Sequence, residues 1–280
     1  MSSSHACEGG SPGSDPLPSD VASLLRGFRA QAQRRGLCVV ELGRVGPFPV
    51  LLLEPDHPVA GAPCLLLAAG FHGDEPAGCW GLLELLRGAP EELFHKANLS
   101  FLPVVNPTGL AVGRRGNDQG ENPNRGYCPP CDDQAEPSRE GRILLEHLPH
   151  LLEAGRLGFL SLHEDGEREQ FYLYTYEQGE APGAFTEALR QAEEAFFPCL
   201  PDGEVAGSPV RHGVIFRECD GSFEDLLFHD GVPVAAVTET PGRRDFATRV
   251  RANRAIAEAF VRYLAEGARS GVGPTDRPRP

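Results

Sequence analysis

The sequence predicts an α/β fold: a single domain with a twisted, largely parallel mixed central sheet flanked by helices. Two observations predict it. Apolar runs of strand length alternate with stretches whose apolar residues recur at helical spacing through most of the chain. Runs such as "CLLLAAG" (64–70) are apolar without interruption, as a strand covered on both faces requires. At 280 residues the chain can bury a substantial core, and no internal repeat divides it. The expected domain is 19–267. Residues 1–18, rich in Ser, Gly and Pro, and residues 268–280 read as disordered tails.

Taken in order, "LCVVEL" (37–42) and "PVLLLE" (49–54) read as strands joined by a turn at Gly46-Pro47. "CLLLAAG" follows as a buried strand. Pro76 is tolerated in a helix's first turn, so "AGCWGLLELLRG" (77–88) reads as a helix ended by Gly88. "LSFLPVV" (99–105) is a strand running into Asn106-Pro107. Residues 107–138 show no period and much Gly, Asn and Pro; a loop of that length in a compact domain is usually functional. "SREGRILLEHLPHLLEA" (138–154) reads as one helix, "LGFLSLHE" (157–164) and "QFYLYTY" (170–176) as strands, and "GAFTEALRQAEEAFF" (183–197) as a helix. "VPVAAVTET" (232–240) is a buried strand. Val250, Ala257, Val261 and Leu264 recur at helical spacing and predict a closing helix from Phe246 to Ala265.

Composition narrows the function. Forty Asp and Glu against 26 Lys and Arg leave a net charge of −14, which disfavours nucleic acid or an anionic membrane as partner. Met1–Ser19 has no apolar core of the kind a secretory signal needs, and no window suits a spanning helix. A cytoplasmic location is therefore expected, with the eight cysteines as reduced thiols. Cys128 and Cys131 form a "CPPC", but in a Pro- and Asp-rich loop rather than at a helix start, so a proline-closed turn is expected there.

Four strand ends carry polar residues where ligands bind in open α/β sheets: His72 and Glu75, Asn106, His163, and Glu239. A carboxylate closing an apolar strand, as at Glu239, is costly if buried without a partner. One zinc ion per chain accounts for the set. Two imidazoles and a carboxylate (His72, Glu75, His163) make a three-ligand catalytic site, and Glu239 is placed to serve as general base toward metal-activated water. On chemistry alone Asp74, Glu164 and Asp165 compete for these roles.

The chain resembles the zinc carboxypeptidase (M14) family and its succinylglutamate desuccinylase/aspartoacylase-like relatives. Those families share an H-x-x-E pair after a strand, a distant strand-borne His, and a late strand ending in the catalytic Glu. Between them lies "NPxG…R-x-N-x-x-G-x-D-x-N-R", where this chain reads "NPTGLAVGRRGNDQGENPNRGY" (106–127). The resemblance spans about residues 63–265. It places Arg115 on the arginine that stabilises the oxyanion, Asn122 on the Asp of the motif, and Asn124 and Arg125 on the pair that binds a substrate carboxylate. Aligning "GSFED" on the family's "G-S-x-D" puts Phe223 at the side-chain specificity pocket. It also puts Phe216 where many members carry a mobile tyrosine; Tyr172, Tyr174 or Tyr176 would then supply the hydroxyl.

The resemblance implies a zinc metallopeptidase of carboxypeptidase type, acting on a peptide or N-acyl amino acid with a free carboxylate. "TETPG" after the catalytic strand and the short C-terminal remainder are more similar to the peptidases than to the acylases. The alternatives are a desuccinylase/aspartoacylase-like amidohydrolase of small N-acyl amino acids and an inactive peptide-binding relative.

Overall fold

The computed structural model describes residues 20–127 and 136–270. The chain opens with α1 (Val21–Arg35), the hairpin β1 (Leu37–Val45) and β2 (Phe48–Pro55), then β3 (Cys64–Ala69), α2 (Pro76–Gly88), α3 (Glu91–Lys96) and β4 (Asn98–Leu102). There follow α4 (Pro107–Val112), α5 (Arg139–Glu146), α6 (Leu148–Ala154), β5 (Gly158–Asp165), β6 (Tyr172–Tyr176) and α7 (Ala184–Glu194). β7 (Gly203–Val205) and β8 (Ser208–Val210) form a separate small hairpin. The chain then runs through β9 (Val214–Phe216), α8 (Phe223–His229), β10 (Ala235–Pro241) and α9 (Phe246–Ser270).

The eight-stranded sheet has the order β1-β2-β4-β3-β5-β10-β6-β9. Its centre, β4-β3-β5-β10, is parallel; β1, β2 and β6 add antiparallel pairings, so the sheet is mixed. Alternate residues of β3 divide the core. Leu65, Leu67 and Ala69 pack with α1, α2 and α9, whereas Leu66 and Ala68 pack with Leu144, Leu151 and Leu227 of α5, α6 and α8. Both faces are covered, which is why the run is apolar throughout.

Three local outcomes differ from the sequence reading. Helix α1 was not expected, although Val21, Leu24, Leu25, Phe28 and Ala32 are its buried stripe. Asp20 caps it, accepting from Ser23 N at 2.9 Å, and Gly36 ends it at a left-handed φ of 65°. The segment 138–154 is two helices, not one. Pro149 cannot donate within a continuous helix, and the chain breaks at His147 before α6 begins. The long loop opens with α4, whose cap is Asn106: its Oδ1 accepts from Gly109 N at 2.8 Å. Cys128 and Cys131 lie outside the described residues.

Candidate metal centre

β3 ends at Ala69, and Gly70 turns the chain at φ 70° so that His72 and Glu75 sit at the carboxyl end of the sheet. Gly73 between them is held against α4: a Cβ there would lie 2.0 Å from the Gly109 carbonyl carbon. A side chain at 73 would push His72 out of place. His163 lies near the end of the neighbouring parallel strand β5, and its register partner on β10 is Glu239.

These elements bring three buried side chains together. Glu75 Oε1 lies 2.9 Å from His72 Nδ1 and Glu75 Oε2 lies 2.8 Å from His163 Nδ1. The two Nδ1 atoms are 3.1 Å apart. Both cannot carry a proton aimed at the other, and a cation among them satisfies every inward lone pair at once. His72, Glu75 and His163 thus form a buried group able to hold a metal ion.

The outward ring nitrogens fit the same arrangement. His72 Nε2 lies 3.1 Å from Asn122 Oδ1, which leaves Nδ1 as the lone-pair atom. His163 Nε2 points toward Glu224 Oε1 at 3.7 Å, and neither atom has a hydrogen-bond partner. Such acceptors fix the tautomer and orientation of a ligating imidazole. Asn124 ties this layer to α8: its Nδ2 donates to Glu224 Oε2 at 3.1 Å and its Oδ1 accepts from Phe223 N at 3.0 Å.

Burial works against charge throughout the group, and the neighbours decide each balance. It is outweighed at Glu75, whose carboxyl the two imidazoles hold well below the usual carboxylate range. It is outweighed too at His163, which Glu75 and Glu224 hold up at about 10. Burial prevails at His72, whose pKa is lowered, and at Glu239, pushed up to about 8 by burial and then by the charge of Glu75.

His72 and His163 line a cavity of about 450 Å³, within the range of small-ligand sites. Arg115, Arg125, Asn124, Tyr172, Tyr174, Tyr176 and Glu239 line it. Arg115 Nη1 reaches Glu75 Oε1 at 2.8 Å with its side chain still half exposed. Arg125 donates to Asn124 O at 2.6 Å and pairs with Asp220 at 3.0 Å. Tyr172 spends its hydroxyl on Asp165 Oδ2 at 3.1 Å.

Two of the three competing carboxylates are otherwise engaged, whereas Asp74 is exposed at the rim of the cavity lining. Glu164 turns away to accept from Ala77 N at 2.7 Å and to pair with Arg249, while Asp165 accepts from Tyr172 and Arg168. The expectation for Phe223 is corrected. Its ring is fully buried against Phe71, Tyr127 and Phe159, as core rather than as the wall of a substrate pocket. Phe216 lies on β9, outside the lining. The cysteine expectation also needs correction: Cys38, Cys64, Cys79 and Cys199 are free, but Cys219 is disulfide-bonded.

Glu224 and Asp220 were missed in the sequence. The signal was present, since Ser222 and Asp225 have the S-x-x-D spacing of a helix start, and α8 begins there with Ser222 as its cap.

Comparison with known proteins agrees with this geometry. Residues 62–197 match the succinylglutamate desuccinylase/aspartoacylase catalytic domain. The structure is similar to that of a proposed metallopeptidase from Shewanella amazonensis SB2B, with 45% identity and a TM-score of 0.84 over 88% of this chain and 94% of that one. A proposed metallopeptidase from Shewanella denitrificans OS217 gives 40% identity and a TM-score of 0.83 over 89% and 92%. A metallo-carboxypeptidase from Pseudomonas aeruginosa, in complex with (2-guanidinoethylmercapto)succinic acid, shares the fold alone. Its identity is 18% and its TM-score 0.62, over 86% of this chain and 68% of that one. No curated protein matches the chain. With its α/β sheet, its buried His-Glu-His group and these relatives, the chain belongs to the same metallopeptidase family as the Shewanella proteins, with a succinylglutamate desuccinylase/aspartoacylase-type catalytic segment on a carboxypeptidase-like fold.

Proposed function

We propose that the protein is a zinc-dependent hydrolase that cleaves an amide bond next to a residue bearing a free carboxylate. The observation that carries this reading is the convergence of His72, Glu75 and His163 under a cavity that also holds two arginines and Glu239. Two imidazoles and one carboxylate suit Zn²⁺ better than Mg²⁺ or Ca²⁺, which prefer all-oxygen shells. When bound, the ion supplies Lewis acidity, polarising the scissile carbonyl and making water more acidic.

The chain's own residues do the rest. Glu239, half-buried on the cavity wall beside His163, takes a proton from water and returns it to the leaving amine. Arg115 swings from Glu75 toward the oxygen on which negative charge develops. Arg125, braced by Asn124 O, exchanges its Asp220 partner for the substrate carboxylate, which its planar fork matches. Tyr174, half-buried on the lining, adds a hydroxyl beside that carboxylate.

A second reading is favoured by the family match over residues 62–197: an amidohydrolase of small N-acyl amino acids with the same base and carboxylate clamp. A panel of peptides and N-acyl amino acids, each as free acid and as amide, tests both. Free acids should be preferred at least 30-fold in kcat/KM, as a charge pair worth about 2–5 kcal/mol implies. Arg125→Ala should lose a similar factor on acids and little on amides. Turnover of N-acyl amino acids alone would select the second reading. Equal hydrolysis of acids and amides by the wild type would remove the clamp.

A further inference from the structure

The chemistry described above uses none of Cys219, Asp225 and His229, which converge on the far side of α8. We propose that these three residues form a second metal site, one that takes Zn²⁺ when Cys219 is a thiol. One ligand atom from each lies within 4.8 Å of the other two.

The local fold builds this cluster. Asp225 and His229 are four residues apart on α8 and therefore share a face. Gly221, at φ 73°, turns the chain so that Cys219 comes back over that face. The turn is pinned by Asp225 itself, whose Oδ2 accepts from Gly221 N at 3.1 Å. Its other oxygen, Oδ1, stands 3.5 Å from His229 Nε2. That is long for a hydrogen bond, but close to the about 3.3 Å that separates two ligand atoms on a tetrahedral zinc with bonds of about 2.0–2.1 Å.

The donor set names the metal. A thiolate, an imidazole and a carboxylate select zinc over Mg²⁺ and Ca²⁺. Three protein ligands leave one position for water. Cys219 and His229 are exposed, so an ion can enter from solvent, whereas the Asp225 carboxylate is buried and held in place.

Cys219 is disulfide-bonded in this structure, so the site opens on reduction. A dithiol reductant gives up two electrons and two protons, becoming a disulfide, and returns Cys219 and its disulfide partner each to a thiol. The metal then displaces the thiol proton to solvent. An ion here would also stiffen α8, which carries Glu224 toward His163.

Cobalt substitution tests the proposal, because sulfur-to-cobalt charge transfer absorbs in the near ultraviolet and a His-Glu-His centre has no sulfur to give it. Co²⁺ added to the dithiol-reduced full chain should produce the band. The disulfide form should lack it. Cys219→Ser should abolish it and His229→Ala should weaken cobalt affinity at least tenfold, both with the melting temperature of the dithiol-reduced wild type, since Cys219→Ser removes the disulfide in any case. Zinc content should rise by one ion per chain on reduction. A reduced wild type without the band overturns the site, as does a Cys219→Ser protein that keeps it.

Discussion

Glu75 and Glu239 are both carboxylates at the carboxyl end of one sheet, and their surroundings divide their tasks. Glu75 is buried between two imidazoles and touches Arg115, so all its lone pairs are committed. Glu239 is half-buried, with no such partners, and faces the cavity. Replacing Glu239 by Gln should leave metal content unchanged and lower turnover by about 10²–10⁴-fold, the scale of a general acid–base group. Glu75→Gln should instead weaken metal binding itself. Parallel measurement of metal content and kcat separates the two, and a fully active Glu239→Gln protein would hand the base role to another carboxylate. At this scale the sequence was informative for His72, Glu75, His163 and Glu239, because each ends an apolar strand where a polar side chain needs a reason. It marked the start of α8 at Ser222 but not the tasks of Glu224 and Asp220, whose partners His163 and Arg125 lie far away in the chain.

Among the elements, β10 and α7 share a buried polar contact behind the site. Thr240 Oγ1 donates to Glu193 Oε1 at 2.8 Å, and Glu193 Oε2 has no partner. Burial pushes the Glu193 carboxyl up to about 8, with Thr240 opposing. Since the folded pKa exceeds the unfolded one, stability from this group is fully present below about pH 4.5. It falls by about 1.36 kcal/mol per pH unit as pH rises toward 8, then levels off. Glu193→Gln keeps an acceptor for Thr240 and removes the titration. Its denaturant midpoint should exceed the wild type's at pH 8 by an amount corresponding to a few kcal/mol, and the two should converge near pH 5. Equal pH profiles would show that Glu193 does not hold its proton. The elements themselves were legible where period and length agreed, as in β3, α2 and α9. The break between α5 and α6 turned on one proline. Helices α4 and α8 are too short to show a period, and only their caps, Asn106 and Ser222, mark them.

For the whole molecule, the sheet order is what makes a site out of distant segments. Parallel β3, β5 and β10 are neighbours, so their carboxyl ends deliver His72, His163 and Glu239 to one place. The loop after α4 and helix α8 close around them with Asn122, Asn124 and Glu224. Strand–helix alternation in the sequence implied such a sheet, but not which strand lies beside which. That order depends on non-local pairing and on both faces finding cover. No described helix is long and apolar enough to cross a membrane. The charge of −14 lies over a cavity that nevertheless presents Arg115 and Arg125, which favours an anionic group in a molecule otherwise repelling anions. The proposed function requires one ion held by three residues from two strand ends. The most direct test is zinc content, measured with the Cys219 disulfide intact, on the wild type, His72→Ala and His163→Ala, beside a turnover assay. About one zinc per chain is expected in the wild type. Either variant should lose most of that zinc, and activity with it. A His163→Ala protein that keeps the wild-type metal content and turnover would contradict the account.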